Sequence, residues 1–383
     1  MCRKELSEGA KACALKTRFY FDDMRAAARI AAELLPCGKM LLIADEEDSH
    51  AALAMRGAFA GLRVFCVVFG AEDTARGLFS LPDDVRMAVA VGSRSVAAAR
   101  FFCTLRGAYL VALPSSVQAE GLFCAANAEG YPVNEPDAVL FDETFIGGRG
   151  LAGSASAAFL SALYAEDTDI DAVFSGGRKE YGCSLLRLSE KLSESGGAAS
   201  LFAACALQEM ALRAFPQYPS RAFYDLLRAK GGRSDGECAF AAVFYSLARY
   251  AALFRGGSPR PYFVPDYAAR AKEAAKYIGE DAFRNVNVPS AEECFARVQI
   301  FSECREHFRT AADVALCRAE KMKERYYRAG GKKPVFRTGA LEEAYSLSAE
   351  LSPMLSVAAL ERDFGLLPHM RGGAYGVKTG ANV

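Results

Sequence analysis

The chain has no tryptophan and only three histidines, His50, His307 and His369, among 383 residues. No two of these share a metal-ligand spacing and no H-E-x-x-H occurs, which argues against a helical zinc-hydrolase site. No G-x-S-x-G is present, which disfavours the nucleophile elbow of a Ser-His-Asp hydrolase. Cysteine is plentiful, at twelve. Yet no C-x-x-C pair occurs, so a thiolate zinc site is not expected. Most of the cysteines lie in apolar or helical runs, as Cys66 does in Val64-Phe65-Cys66-Val67-Val68, and read as free thiols acting as small core hydrophobes. An excess of one charge is lacking too, since Lys plus Arg and Asp plus Glu are 46 each. That balance gives no electrostatic footprint for nucleic acid or an anionic membrane. No cleavable leader and no apolar run of about 20 residues is read, so no signal peptide and no spanning helix is expected. The reading is a soluble, cytoplasmic protein.

What is present suits a globular chain of two domains, at about 100–200 residues per domain. Hydrophobic residues make up 52% and charged residues 24%, which gives ample core and argues against broad disorder. The first 150 residues alternate apolar runs with amphipathic stretches. The spacing predicts a helix over Phe19–Leu35, then strands at Met40–Ala44, Arg63–Phe69, Met87–Val91, Ala108–Leu113 and Ala138–Phe141. Helices are expected between them: after Asp48/Ser49, which can cap, as far as Ala60; over Asp73–Leu81; and over Val96–Leu105. Wholly apolar strands separated by helices indicate a parallel sheet covered on both faces. The pattern changes at Gly147-Gly148-Arg149-Gly150. Beyond it, helices are expected over 152–164, 184–191, 198–215, 236–254, 267–277, 291–327 and 341–364. The fold class is therefore an α/β, Rossmann-like domain over 1–150 followed by an all-helical domain over 151–383, without internal repeats.

Ligands of such sheets bind beyond the carboxyl ends of the strands. Those ends are Asp45, Gly92-Ser93-Arg94-Ser95, Pro114-Ser115-Ser116 and Asp142. The 92–95 loop opens a helix, whose backbone N–H groups can hold a phosphate with help from the Ser hydroxyls and Arg94. It reads equally as an ordinary turn and cap. Residues 113–121 offer polar groups after another strand. There Glu120 reads either as a substrate-facing carboxylate or as a solvated helix residue.

The order of these segments resembles sn-glycerol-1-phosphate dehydrogenase, within the wider group of glycerol dehydrogenases, iron-type alcohol dehydrogenases and dehydroquinate synthases. The likeness is carried by Leu42-Ile43-Ala44-Asp45, Ala90 to Ser95, Leu113 to Gly121, Pro136 to Asp142, Ala152 to Ser156, Asp235 to Ala239, and Ala344 to Leu367. It implies a dehydroquinate synthase-like architecture and a metal-dependent oxidoreduction of a polyol phosphate with NAD or NADP. It implies cofactor binding by Asp45, Gly92, Ser93, Arg94, Ser95, Ser115 and Ser116, with catalytic roles for Glu120 and Asp235. A small phosphorylated molecule is the implied ligand, nucleic acid and membrane are not, and a homo-oligomer is compatible with the apolar helical half.

The departures bear on chemistry. The family's metal Asp falls at Ser156, its last metal His at Asp235, and its other His near Arg221 to Leu227, where none exists. Zinc needs three well-placed ligands, so no metal ligands are assigned here. Arg94 stands where the family has a glycine, and Ala98 where it has an Asp. Two expectations follow: an active, divergent NAD(P)-linked dehydrogenase that replaces or dispenses with the metal, or a non-catalytic homologue that binds a small phosphorylated ligand or a protein.

Overall fold

The computed structural model describes residues 2–117, 121–126, 131–147, 160–161, 163–164, 167, 169–174, 182–194, 197–214, 219–231, 233–256, 272, 276, 289–328, 330–336, 339–351 and 355–367. The chain divides into two compact units, Met1–Ser154 with Lys191–Ala214, and Ala155–Glu190 with Phe215–Val383.

In the first unit the elements run α1 (Cys2–Ala12), β1 (Arg18–Phe21), α2 (Ala26–Leu34), β2 (Gly38–Asp45), α3 (Ser49–Met55), β3 (Leu62–Phe69), β4 (Val85–Val91), α4 (Ser93–Arg106), β5 (Tyr109–Leu113), β6 (Ala138–Phe141) and α5 (Glu143–Ile146). The strands form one six-stranded sheet in the order β1-β6-β5-β4-β2-β3, and every pairing is parallel. All the strands read from sequence are present. β4 and β5 are almost wholly buried, as strands covered on both faces must be. Met40, Leu42, Met87, Val89, Val91, Val111 and Leu140 form a core with Ala27, Ile30 and Ala31 of α2.

Three expectations need correction. Arg18–Phe21 is a strand on β6 rather than the first turn of a helix: sheet pairing outweighs the helical spacing of Met24, Ile30 and Leu34. Asp48 makes no side-chain cap, and α3 ends at Met55 in a short 3-10 turn. Residues 75–80 form a 3-10 turn instead of an α-helix.

Among its described residues the second unit contains helices joined by turns and loops, and no strand. α6 (Gly182–Ser193) runs across the division between the units, and α7 (Ala198–Ala214) belongs to the first. Then come α8 (Pro219–Gly231), α9 (Asp235–Arg255), α10 (Ala291–Arg328), α11 (Ala340–Ser348) and α12 (Val357–Asp363). The expected helix over 341–364 is thus two helices. Those over 152–164 and 267–277 fall mostly outside the described residues. α9 opens with a capping box between Ser234 and Glu237, which satisfies N–H groups the helix itself leaves open. Within it Gly236–Arg255 is long and apolar enough, by length and composition, to cross a membrane, which the sequence reading did not anticipate. Because 67% of its apolar 18-residue window is buried within the protein, it has the character of a core helix.

Candidate functional site at the switch point of the sheet

From β2 the chain crosses to β3 on one side, then returns to β4 on the other. This reversal makes a crevice between the carboxyl ends of β2 and β4, the place where open parallel sheets hold ligands. Asp45 closes β2 there, and Gly92 to Ser95 lead from β4 into α4. β5 lies on the other side of β4, and Gly92 N–H donates to Leu113 O at 3.0 Å, which ties the 92–95 loop to the end of β5, two residues before Ser115. Asp142 follows β6. It accepts from Thr144 N–H at 2.8 Å, Phe145 N–H at 3.0 Å and Met24 N–H at 2.8 Å, so it serves as a cap for α5 and a tie to the start of α2.

The crevice is filled from within. The Asp45 carboxylate accepts from Arg94 N–H at 3.1 Å, from Ser95 N–H at 2.7 Å and from the Ser95 hydroxyl at 2.6 Å. Only 2% of Asp45 is exposed. A helix N-terminus carries unsatisfied donors and about half a positive charge, so a buried carboxylate is well placed on it. Gly92 allows the approach: its φ is +106°, and a Cβ there would lie 2.3 Å from Asp45 Oδ2. Ser95 is buried with the carboxylate, whereas Ser93 and Arg94 are exposed, and Ser115 and Ser116 are half-buried.

Asp45, Glu47 and Asp48 bring one carboxylate oxygen each within 4.8 Å of the others, the one such acidic trio among the described residues. Acidic groups commonly gather in this way without an ion, and both Asp45 oxygens accept from α4, so the trio is assigned no metal.

Where the resemblance implies zinc, the described residues do not fit it. The segment 221–227 of α8 holds Asp225 under the Arg221 guanidinium, with Nε donating to both carboxylate oxygens at 3.1 Å. Phe223 and Tyr224 are buried, and the segment offers no imidazole or thiolate. Asp235 is the first residue of α9. Glu120 and Ser156 lie outside the described residues.

Sequence reasoning missed Arg100. Its residue is 2% exposed, and Nε donates to Asn134 O at 2.9 Å while Nη2 donates to Cys124 O at 2.7 Å. Nη1 donates to Gly121 O and, at 3.0 Å, to Cys124 Sγ. It pins the segment after β5 to α4, and burial holds its pKa below the ordinary value. Its position between Ala99 and Phe101 on a buried helix was the available signal. Beside it lies a cavity of about 310 Å³ lined by Lys16, Arg100, Asn134, Glu135 and Asp137, at the amino ends of β5 and β6 and thus away from the switch point.

No family model matches the chain, and no curated protein matches it. Its fold is that of known reductases and alcohol dehydrogenases. Maleylacetate reductase from Rhizobium sp. strain MTP-10005 superposes with a TM-score of 0.54 at 12% identity, covering 91% of this chain and 96% of that one. Alcohol dehydrogenase from Oenococcus oeni gives 0.53 at 15% identity, covering 90% and 98%. Sulfoacetaldehyde reductase from Bifidobacterium kashiwanohense, in complex with NAD+, gives 0.53 at 14%, covering 92% and 96%. At these identities the likeness establishes the shared architecture expected from sequence.

Proposed function

We propose that this chain is a divergent glycerol-1-phosphate dehydrogenase-like protein that has lost NAD(P)-linked, metal-dependent catalysis and binds a small phosphorylated molecule. One observation carries the reading: the Asp45 carboxylate sits on the first-turn amides of α4, where a dinucleotide pyrophosphate would need them. A tethered carboxylate competes with a free phosphate for the same donors at a high effective concentration, and two anions a few ångströms apart repel. Arg94 adds bulk where the resembled family has glycine. The Asp225 carboxylate, held by Arg221, supports the loss of the metal. The exposed Ser93 hydroxyl and Arg94 guanidinium, with Ser115 after the neighbouring strand end, are donors for a smaller phosphate. The competing reading, an active NAD or NADP enzyme, draws on the fold it shares with a reductase solved with NAD+.

Titration calorimetry with NAD+, NADP+ and inorganic phosphate, together with a spectrophotometric assay on glycerol 1-phosphate, separates the two. The wild type is expected to give no cofactor heat and no turnover, with or without added zinc. Asp45→Ala is expected to tighten phosphate binding at least about tenfold by freeing two amides. Stoichiometric cofactor binding or turnover by the wild type would reject the proposal.

A further inference from the structure

β3 ends the sheet. All eight of its residues pair with β2, from Gly38↔Leu62 to Asp45↔Phe69, and no described strand lies on its other side. Its sequence, Leu-Arg-Val-Phe-Cys-Val-Val-Phe, lacks the proline, bulge or central charge with which proteins usually blunt such an edge. Cys66 and Val68 are exposed, Val68 by 46%. A long, apolar, unpaired edge is a template for another strand.

We propose that β3 is the contact between two copies of this chain, joined antiparallel about a two-fold axis normal to the sheet. The charge pattern supports a second copy. The strand's one charged residue, Arg63, stands near its amino end, and the first acidic residues beyond its carboxyl end are Glu72 and Asp73. Antiparallel pairing sets the basic end of each copy toward the acidic end of the other, whereas a parallel copy would align like with like. Parity then limits the register. Directly opposite side chains share a face, and the two-fold keeps each residue on its own face, so the axis must pass through a residue position. Centring on Cys66 sets Cys66 against Cys66 of the other copy, Phe65 against Val67, Val64 against Val68, and Arg63 against Phe69, next to the acidic end. The two sheets become one of twelve strands, twice the six of a single copy. This inference does not depend on the proposed function, because it rests on the outward side of β3 and uses no group of the Asp45–α4 crevice.

Cross-strand neighbours approach to about 4.5–5.5 Å between Cα atoms, within disulfide range. Copper-phenanthroline oxidation of the full chain should therefore join two Cys66 thiols: two protons leave, the added oxidant takes two electrons, and one S–S bond forms. Analytical ultracentrifugation should find a dimer for the wild type. Val68→Lys should weaken it about tenfold or more, because two lysines then enter the seam, with circular dichroism unchanged since the site is half-exposed. Cys66→Ser should abolish the covalent dimer although the exposed Cys37 and Cys317 remain. Should Val68→Lys unfold, Cys66→Lys is the second probe of dissociation. A monomeric wild type, a dimer of unchanged strength in the folded lysine variant, or a crosslink that survives Cys66→Ser would overturn the inference.

Discussion

At Gly92 three demands meet. The backbone must turn from strand to helix with φ at +106°, the Asp45 carboxylate must pass the Cα, and two amides must face it. Gly92→Ala is expected to cost about 3 kcal/mol, from left-handed strain and from overlap with Asp45. Adding Asp45→Ala should remove the overlap with Oδ2 and Cγ but leave the 2.8 Å approach to the Cβ of residue 45 and the strain, so urea unfolding of the two single variants and the double variant should be non-additive. Full additivity would show that Asp45 does not fill that space. Asp137 offers a test of pH. Burial raises its pKa above the ordinary 3.8, against opposing hydrogen bonds from backbone amides that include Leu110 N–H. A carboxyl that binds its proton more tightly when folded weakens the fold as pH rises from its unfolded value through its folded one, because the folded chain must then bury a charge. Asp137→Asn keeps an acceptor for Leu110 N–H and should remove that decline from urea midpoints measured across the window. A decline of equal size in the variant would assign it to another group. The residues at strand ends were legible because open sheets place ligand groups there. That one of them, Asp45, would turn onto the neighbouring helix was not legible, since a carboxylate at a strand end looks the same in sequence whether it faces solvent or caps a helix fifty residues on.

Among the helical elements, a buried ionic network joins four of them. Arg249 of α9 holds Glu361 of α12 through Nε at 3.0 Å and Nη2 at 2.8 Å, and Tyr345 of α11 donates its hydroxyl to the same carboxylate at 3.0 Å. Arg362 reaches Glu350 and Asp363, each at 2.9 Å, and Arg297 of α10 also contacts Asp363. The three arginines and three carboxylates balance, and each of the carboxylates is at most 2% exposed. Removing one member strands its buried counter-charge, at a cost of about 3–5 kcal/mol. Asp363→Asn should therefore lower the urea midpoint far more than Tyr345→Phe, which loses one neutral donor at about 1–2 kcal/mol. Equal effects would mean the network is solvated. Periodicity revealed α9 and α10 because each carries several turns of its own. It merged α11 with α12, and it could not show that the Asp363 of a familiar-looking turn is answered by an arginine 66 residues earlier. Short β1 was hidden for a related reason: four residues acquire strand character only from the β6 backbone beside them.

For the molecule as a whole, the change of composition near residue 150 marks where strands stop, but chain order alone cannot show a helix coming back. α7 returns to the sheet unit. Phe202 stacks on Phe141 of β6 with ring centroids 4.5 Å apart and meets Phe21 of β1 edge-on at 6.3 Å, while the Cys13 thiol donates to Met210 O at 3.6 Å. Arg213 pairs with Glu135 at 3.3 Å just before β6. A fragment of residues 1–150 would leave Phe21 and Phe141 facing water, each a loss of about 2–3 kcal/mol of burial, on a sheet that already presents the apolar edge of β3. It should bind the dye ANS and aggregate. Residues 1–154 joined by a short glycine-serine linker to 191–214 should unfold cooperatively and stay soluble if the edge carries Val68→Lys. If 1–150 alone unfolded as sharply as the joined fragment, α7 would be dispensable to the sheet, and the stacking of Phe202 on Phe141 would contribute nothing to its stability.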